Sequence, residues 1–172
     1  MAKEETIFFA NSASPFSNWY PCKFQWQVPD GAVHTFTSAE QALMYAKANM
    51  FGDREIERKI LLTNSCARIK QLGRQVKGFD ADKWNRASPD IAVSLLVAKF
   101  ASNAILLRTL MHTGNAVLAE ASHWDKIWGI GLRASDERAR NPTNWGENRL
   151  GKALMSARSR LQATQLADRD HR

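Results

Sequence analysis

The segment IAVSLLVAKFA, residues 91–101, constrains the fold more than any other part of this 172-residue chain. It is apolar nearly all round, and a helix that is hydrophobic on every side has to be covered by other elements. The preceding Ser88-Pro89-Asp90 offers an N-cap, a proline at the first helical position and an early acid, so we expect the helix to begin there. The chain length suits one compact domain with a single core. We therefore expect the chain to fold around one buried central helix.

Helical signals dominate the rest of the chain after residue 37. Capping residues, apolar spacing and glycine stops predict further helices over residues 38–50, from Asp53, from Asn64 or Ser65 to Gly73, from Asn103 to Gly114, and over residues 149–162. Short strands are predicted at residues 7–9, 117–121 and 128–132, and a hairpin turn at residues 29–31 pairs residues 24–26 with 33–36. The result is a single, predominantly helical α+β domain over residues 1–166, followed by a frayed polar tail over residues 167–172.

Composition argues against export and membrane insertion. No apolar run approaches the roughly 18 residues that span a bilayer, and residues 1–5 contain no apolar signal core. Cys22 and Cys66 do not form the framework of a secreted domain, so we expect reduced thiols and a cytoplasmic protein. The four histidines show no ligand spacing and no nucleotide fingerprint is present, so we expect neither a metal nor a cofactor.

The formal net charge of +7 suggests an anionic substrate or partner. Because the basic residues are scattered among acidic ones, an anionic substrate or a generally attractive surface potential is favoured over nucleic acid. The sequence does not predict an oligomeric state.

Two charged residues interrupt the apolar face of the helix over residues 38–50. At about 100° per residue, Glu40 and Lys47 project in almost the same direction, roughly 10 Å apart along the axis. An inward charge is costly unless it is paired or used, and burial lowers the pKa of a lysine. In the structural alternative, Glu40 completes a capping box that begins at Thr37, and Lys47 extends to solvent. Because both charges break the same face, we favour a functional site.

A second unusual segment is HWDKIWGIG, residues 123–131. Glycines let a backbone approach a ligand closely, and tryptophan rings offer flat surfaces on which a base can stack. Taken alone, the segment fits a tight turn beneath a tryptophan-anchored core better than it fits a binding site. Elsewhere, FSNWYP (residues 16–21) holds a polar pair among aromatic residues. Arg74, at a predicted helix end, either clamps a phosphate or contacts the helix terminus or solvent.

Together these segments resemble the YbiA-like (NADAR) family over about residues 7–160. The matching segments are SPFSNWYP (14–21), TSAEQ (37–41), MYAK (44–47), FGD (51–53), KQLGR (70–74), Trp84, AKF (98–100), DKIWGIG (125–131), NPTNWG (141–146) and NRLGKALM (148–155). Their order and spacing make the match specific. Where the family often has histidine after its glutamate, this chain has Gln41, to which we assign no proton transfer.

The resemblance implies a mainly helical α+β domain with a pocket for a ribosyl substrate and N-glycosidase activity. Some members hydrolyse phosphorylated ribosylamino-pyrimidine or pyrimidinone intermediates of riboflavin synthesis, and others remove ADP-ribose from modified nucleobases. We expect the first activity. A non-catalytic module that binds ADP-ribose or NAD is a further alternative, but it does not require inward charges.

The inward charges and the resemblance together suggest roles for individual residues. We assign Lys47 as Schiff-base nucleophile or general acid–base, with Glu40 and Asp125 as proton shuttles and electrostatic stabilisers. The expected substrate-binding residues are Asn18 for sugar hydroxyls, Arg74 for the phosphate, Trp84 and Trp128 for the base, Phe16, and Lys99 as a second candidate for the phosphate or for the role of Lys47.

Overall fold

The computed structural model of the protein describes residues 5–170, with side chains described as far as residue 168. Its helices are α1 (Ala39–Met50), α2 (Arg54–Leu61), α3 (Cys66–Gly73), α4 (Ala81–Ala101), α5 (Ala104–Met111) and α6 (Arg149–Asp170), and its strands are β1 (Thr6–Phe9), β2 (Phe24–Gln27), β3 (Val33–Phe36) and β4 (Val117–Glu120). Short 3-10 helices at Glu137–Arg140 and Pro142–Asn144 precede α6. The predicted fold class, a predominantly helical α+β domain, is confirmed.

Helix α4 is the central helix, and it is longer than the sequence predicts. Asp80 caps it by accepting a hydrogen bond from the backbone N–H of Lys83, so Pro89 lies inside the helix. The start predicted immediately before Pro89 is therefore wrong. An internal proline removes one backbone hydrogen bond, but the additional turns bury Trp84, and that burial offsets the loss. Helix α4 packs against α1, α5, α6 and β2, as expected for a central helix.

The strands form two small sheets. β2 and β3 make the predicted antiparallel hairpin, whose turn contains Gly31 with a φ of 93°. β1 and β4 pair in parallel, with Phe9 opposite Glu120 at their ends. Because parallel strands end at the same edge, the loop after β1 and the loop after β4 leave from one side of the sheet.

Residues 128–132 do not form the predicted strand. The backbone N–H of Ile130 donates to the carbonyl of Glu120 (2.8 Å), where β4 ends, and the N–H of Gly146 donates to the carbonyl of Ile130 (2.8 Å). Gly131 has a φ of 72°, in the left-handed region, which ends an extended run. The segment is instead an irregular loop that crosses the end of β4.

Asn148 occupies the edge of β4 that β1 does not cover. Its Oδ1 accepts a hydrogen bond from the N–H of Glu120 (3.1 Å), and its Nδ2 donates to the carbonyl of Leu118 (2.9 Å). A neighbouring strand would bind the same two groups. The end of β4 is therefore held from both sides.

The two ends of the chain are only partly described. Helix α6 continues to Asp170, so residues 167–170 of the predicted tail are helical. Residues 1–4, from the segment expected to lack an export signal, and residues 171–172 of the tail lie outside the described residues. Within residues 5–170, no single helix has the length and hydropathy to cross a membrane, and only the pair α4 and α5, bent by 118°, meets that criterion together.

Candidate active site

A cleft of about 360 Å³ opens where α1, α3 and α4 meet the loops that follow β1 and β4. It is lined by Asn18, Trp19, Glu40, Leu43, Met44, Lys47, Lys70, Gly73, Arg74, Trp84, Glu120, Asp125, Ile127 and Trp128. The cleft brings together all of the predicted site residues except Phe16 and Lys99. Parts of the chain far apart in sequence thus supply acids, cations and aromatic rings to one cleft.

The N-terminus of α1 is capped without the help of Glu40. Ser38 is the N-cap, and its Oγ accepts a hydrogen bond from the N–H of Gln41 (3.1 Å). Oε1 of Gln41 accepts a hydrogen bond from the N–H of Thr37 (2.8 Å), and its amide group donates to two backbone carbonyls at and just beyond the end of α2. The capping-box alternative for Glu40 is therefore wrong, because the cap begins one residue later and the partner position belongs to Gln41.

Glu40 lines the cleft with only 7% of its surface exposed. Burial raises the pKa of its carboxyl group to about 7; the charge of Asp125 adds to this rise, and the cations of Lys70 and Lys47 oppose it. Its backbone N–H donates to the carbonyl of Asn18 (2.8 Å), which ties α1 to the loop after β1. A carboxyl group with this pKa can give up or accept a proton near neutral pH.

Lys47 lies about two turns after Glu40 on the same face of α1. Its Nζ donates to the carbonyl of Gly73 (2.7 Å) and lies 4.1 Å from the centroid of the Phe79 ring. Burial lowers the pKa of this amine; Glu40 opposes that effect and Arg74 adds to it. The amine is therefore easier to deprotonate than an ordinary surface lysine. Phe79 was not predicted to lie near Lys47, because it follows a turn outside any periodic pattern.

Asp125 is held by its own loop. Its Oδ1 accepts hydrogen bonds from the N–H groups of Ile127 (2.9 Å) and Trp128 (2.8 Å). A β-carbon at Gly129 would lie 2.9 Å from the carbonyl oxygens of both Asp125 and Glu120. This glycine therefore allows the chain to approach itself, in agreement with the tight turn that residues 123–131 taken alone favoured.

Glu120 is a third acid of the cleft, and it was not among the predicted site residues. Burial raises its pKa to about 7, the charges of Asp125 and Glu40 raise it further, and Lys70 lowers it. One acid at the end of a short strand has no distinctive pattern. The available signal was its place at the C-terminal end of a strand whose following loop carries Asp125.

Asn18 and several aromatic rings complete the walls. Oδ1 of Asn18 is buried and has no hydrogen-bond partner among the described residues. A buried acceptor without a partner is unusual, and here it belongs to a residue that lines the cleft. Trp84 and Trp128 line the cleft as predicted, and Trp19, which the sequence analysis left out, joins them.

The cations of the cleft lie at the end of α3. Arg74 is the C-cap of this helix, with an exposed side chain, and Lys70 lies one turn before it. Both line the cleft. Arg74 and Lys99 were the cations predicted for the phosphate; Lys99 does not line the cleft, whereas Lys70 does and is a second basic residue available to a phosphate.

Phe16 and Lys99 lie in the core and do not line the cleft. Phe16 packs between the rings of Phe9 and Phe100. Lys99 is 0% exposed, and its Nζ donates to the carbonyls of Pro15 (2.7 Å) and Ser17 (3.0 Å). Burial lowers its pKa to about 8. Lys99 thus holds the loop that carries Asn18, and neither residue is placed to touch a ligand in the cleft.

The arrangement provides groups for cleavage of a polar bond. Acids that exchange protons near neutral pH lie beside an amine and flat aromatic surfaces. Within residues 5–170, no three His, Cys, Asp or Glu side chains are grouped so as to hold a metal ion.

Comparison with known proteins identifies the family. The family model named NADAR domain matches residues 7–162. N-glycosidase R617 of Acanthamoeba polyphaga mimivirus is 38% identical over 148 residues, which are 86% of this chain and 87% of the relative. Riboflavin biosynthesis protein VVA0006 of Vibrio vulnificus is 28% identical over 146 residues, 85% of this chain and 35% of that longer protein. The NMR structure of the E. coli protein YbiA has the same fold, with a TM-score of 0.73 and 24% identity over 96% of this chain and 90% of YbiA.

The chain therefore belongs to the NADAR family. It is an enzyme of the N-glycosidase class, as the resemblance implied.

Proposed function

We propose that the enzyme hydrolyses the C–N bond between ribose 5-phosphate and the amino group of a pyrimidine or pyrimidinone in early intermediates of riboflavin synthesis. The observation that carries the proposal is the buried carboxyl group of Glu40, whose pKa is about 7, in a cleft that also holds the amine of Lys47. The relative from Vibrio vulnificus that is named for riboflavin biosynthesis supports this substrate class.

The cleft offers a binding position for each part of such a substrate. Arg74 and Lys70 supply positive charge for the phosphate. Trp84 and Trp128 offer flat surfaces for the base. The unpartnered Oδ1 of Asn18 can accept a hydrogen bond from a sugar hydroxyl.

In one route, the reaction passes through an oxocarbenium ion. Glu40 donates a proton to the leaving nitrogen as the C1–N bond breaks and its electron pair goes to nitrogen. The carboxylate of Asp125 stabilises the positive charge that develops on the sugar, and water then adds to C1.

In the other route, the ribosylamine opens to an imine at C1. The neutral amine of Lys47 adds to C1, the base leaves as a free amine, and the resulting Schiff base on Lys47 is hydrolysed by water. The lowered pKa of Lys47 favours this route because only the neutral amine is nucleophilic.

A second candidate is removal of ADP-ribose from a modified nucleobase. Trp124 favours it: this ring is 85% exposed, packs on His123 with ring centroids 3.6 Å apart, and belongs to the loop that carries Asp125. A second flat surface outside the cleft suits a substrate with a further base. A non-catalytic ADP-ribose module is disfavoured, because binding alone gives no reason to bury Glu40 at a cost in stability.

The experiment is to incubate the protein separately with ribosylamino-pyrimidine phosphates and with ADP-ribosylated guanine, and to measure released base and sugar by chromatography and mass spectrometry. We expect free base and ribose 5-phosphate from the first substrate. Release from ADP-ribosylated guanine alone would favour the second candidate. A Glu40→Gln preparation, purified in parallel, controls for contaminating hydrolases and for spontaneous decay of the ribosylamine.

A further inference from the structure

We propose that Glu120 is a further catalytic residue that accepts the proton of the water attacking C1, and that Asn148 is the residue that positions it. This inference rests on the proposed N-glycosidase chemistry, but it does not depend on which base leaves. It adds an acid and a positioning residue to the roles assigned above.

The placement of Glu120 supports this role. It ends β4 and lines the same cleft as Glu40. Its backbone carbonyl accepts hydrogen bonds from the N–H groups of Ser122 (2.9 Å) and Ile130 (2.8 Å), which fixes the backbone from which the side chain projects. No side-chain hydrogen bond within residues 5–170 engages its carboxylate, so the group is available to water or substrate.

Asn148 fixes the same backbone from the other side. The Asn148 side chain binds the N–H of Glu120 and the carbonyl of Leu118, replacing a missing strand. It is 3% exposed and has a φ of 48°, a left-handed conformation that asparagine tolerates better than most residues. The carboxylate of Glu120 thus projects from a backbone that cannot shift without breaking these hydrogen bonds.

Hydrolysis needs an acceptor for the proton of the attacking water, and in this proposal Glu120 takes that role. When Glu40 gives its proton to the leaving nitrogen, it becomes a carboxylate. When water adds to C1, one O–H bond breaks and its proton passes to the carboxylate of Glu120. A proton then returns from Glu120 to Glu40. The charge of Asp125 raises the pKa of both acids, so both interact electrostatically with the same third carboxylate. The same proton acceptor serves hydrolysis of a Schiff base on Lys47, so the inference holds for both routes.

The charged groups around Glu120 determine its pH dependence. Glu40 and Lys47 face the cleft from α1, Lys70 and Arg74 face it from α3, and Asp125 faces it from the loop after β4. The acids favour the protonated form of Glu120 and Lys70 favours the ionised form.

The first test compares Glu120→Gln with wild type on whichever N-glycoside wild type cleaves. We expect kcat to fall by about 10² or more with a small change in KM, as is typical of general acid–base groups. The acidic limb of the pH profile should disappear, because that limb reports ionisation of the proton acceptor. Formate should partly restore activity to Glu120→Ala by supplying a carboxylate. Glu55→Gln, which changes an exposed acid that does not line the cleft, is the matched control and should keep wild-type activity.

The second test uses Asn148→Asp. The new carboxylate can still accept the N–H of Glu120, but its negative charge should raise the pKa of Glu120 and move the acidic limb to higher pH. If the limb does not move, Glu120 is not the group that it reports. A purely structural role for Asn148 would instead show in Asn148→Ala as a lower melting temperature with wild-type kcat in the folded molecules. Asn148→Ala, if folded by circular dichroism, should lose kcat and leave KM nearly unchanged.

The outcomes separate this inference from the proposed function. If wild type releases no base from ribosylamine phosphates but cleaves ADP-ribosylated guanine, the substrate proposal fails and the same variants are measured on the second substrate. If Glu120→Gln keeps activity within about threefold of wild type with an unchanged acidic limb, the role of Glu120 is refuted whatever the substrate.

Discussion

The Nζ of Lys47 is held by the carbonyl oxygen of Gly73, 2.7 Å away, so the end of α3 fixes the amine at the wall of the cleft. A β-carbon at Gly73 would collide with Sδ of Met44, so glycine at this position lets α3 pack against that side chain of α1. A carbonyl can accept from an ammonium or from an amine. Because no salt bridge within residues 5–170 includes Lys47, its proton can leave without breaking an ion pair.

The first prediction concerns this amine. Lys47→Arg keeps the charge but removes a usable nucleophile, because guanidinium stays protonated. If Lys47 forms the Schiff base, Lys47→Arg and Lys47→Ala should both be nearly inactive. Borohydride added during turnover should then fix a sugar adduct on Lys47 of the wild type, detected by mass spectrometry of peptides.

The control for this experiment is Lys59→Arg, since Lys59 is an exposed lysine paired with Glu55. It should keep full activity and carry no adduct. An active Lys47→Arg enzyme with no adduct in the wild type would refute the covalent route. The oxocarbenium route, with Glu40 and Asp125 as the working pair, would then account better for the reaction.

The second prediction is that Glu40→Gln folds but turns over at least about 10² times more slowly. Folding should survive because Ser38 and Gln41, not Glu40, cap α1. Activity per folded molecule, from kcat and a circular dichroism spectrum, checks this. Full activity in the variant would remove Glu40 from the mechanism.

The third prediction is that Gln41→Ala, in contrast to Glu40→Gln, loses stability and keeps its activity. Gln41→Ala removes buried hydrogen bonds to Thr37, Ile60 and Thr63, so the free energy of unfolding should fall by about 1–3 kcal/mol. The activity of the molecules that remain folded should be close to wild type. Urea titration followed by fluorescence measures the first quantity. A large loss of kcat without loss of stability would contradict the structural role.

The fourth prediction is a pH dependence of stability. The pKa of Glu40 is raised from 4.5 to about 7, so its contribution to stability is complete below about pH 4.5 and is lost as pH rises through 7. A pKa shift of this size corresponds to a change of about 3 kcal/mol in the free energy of unfolding. Glu40→Gln cannot ionise, so it should be more stable than wild type at pH 8 and equally stable at pH 4.5. Parallel unfolding curves at both values test this, and an identical difference at the two pH values would argue against a buried Glu40.

Local signals predicted much of the fold. The caps at Asp53 and Asn103 were predicted, and Ser65 was one of two predicted caps for α3, because a short polar side chain before an apolar pattern favours a helix start. The cap of α1 was predicted one residue early, at Thr37 instead of Ser38. The helix start predicted at Ser88-Pro89 was wrong, because a proline can occupy either the first turn of a helix or a tolerated position inside it. Only the burial of Trp84 against the rest of the fold decides between them.

Local signals predicted some residues of the cleft and not others. Glu40 and Lys47 could be found because one helix sets their spacing. Glu120 and Phe79 could not, because the pairing of β1 with β4 and the turn after α3 bring them to the cleft from elsewhere in the chain. Lys99 looked like a ligand-binding cation because a charge on an apolar helix is unusual, yet backbone carbonyls of the loop after β1 satisfy it.

The last prediction separates the two cations at the end of α3. Arg74→Ala should raise KM for a phosphorylated substrate by about 10- to 100-fold with kcat nearly unchanged, since a hydrogen bond to a charged group is worth about 1.5–3 kcal/mol. Lys70→Ala should act differently. Lys70 lowers the pKa of Glu40 and of Glu120, so its loss should move the whole pH profile to higher pH as well as weaken binding. Arg68→Ala, an exposed position on α3 that bonds Gln71 and does not line the cleft, is the matched control. Steady-state kinetics from pH 5 to 9, with phosphorylated and dephosphorylated substrate, distinguish the roles. If Arg74→Ala weakens both substrates equally, Arg74 does not bind the phosphate.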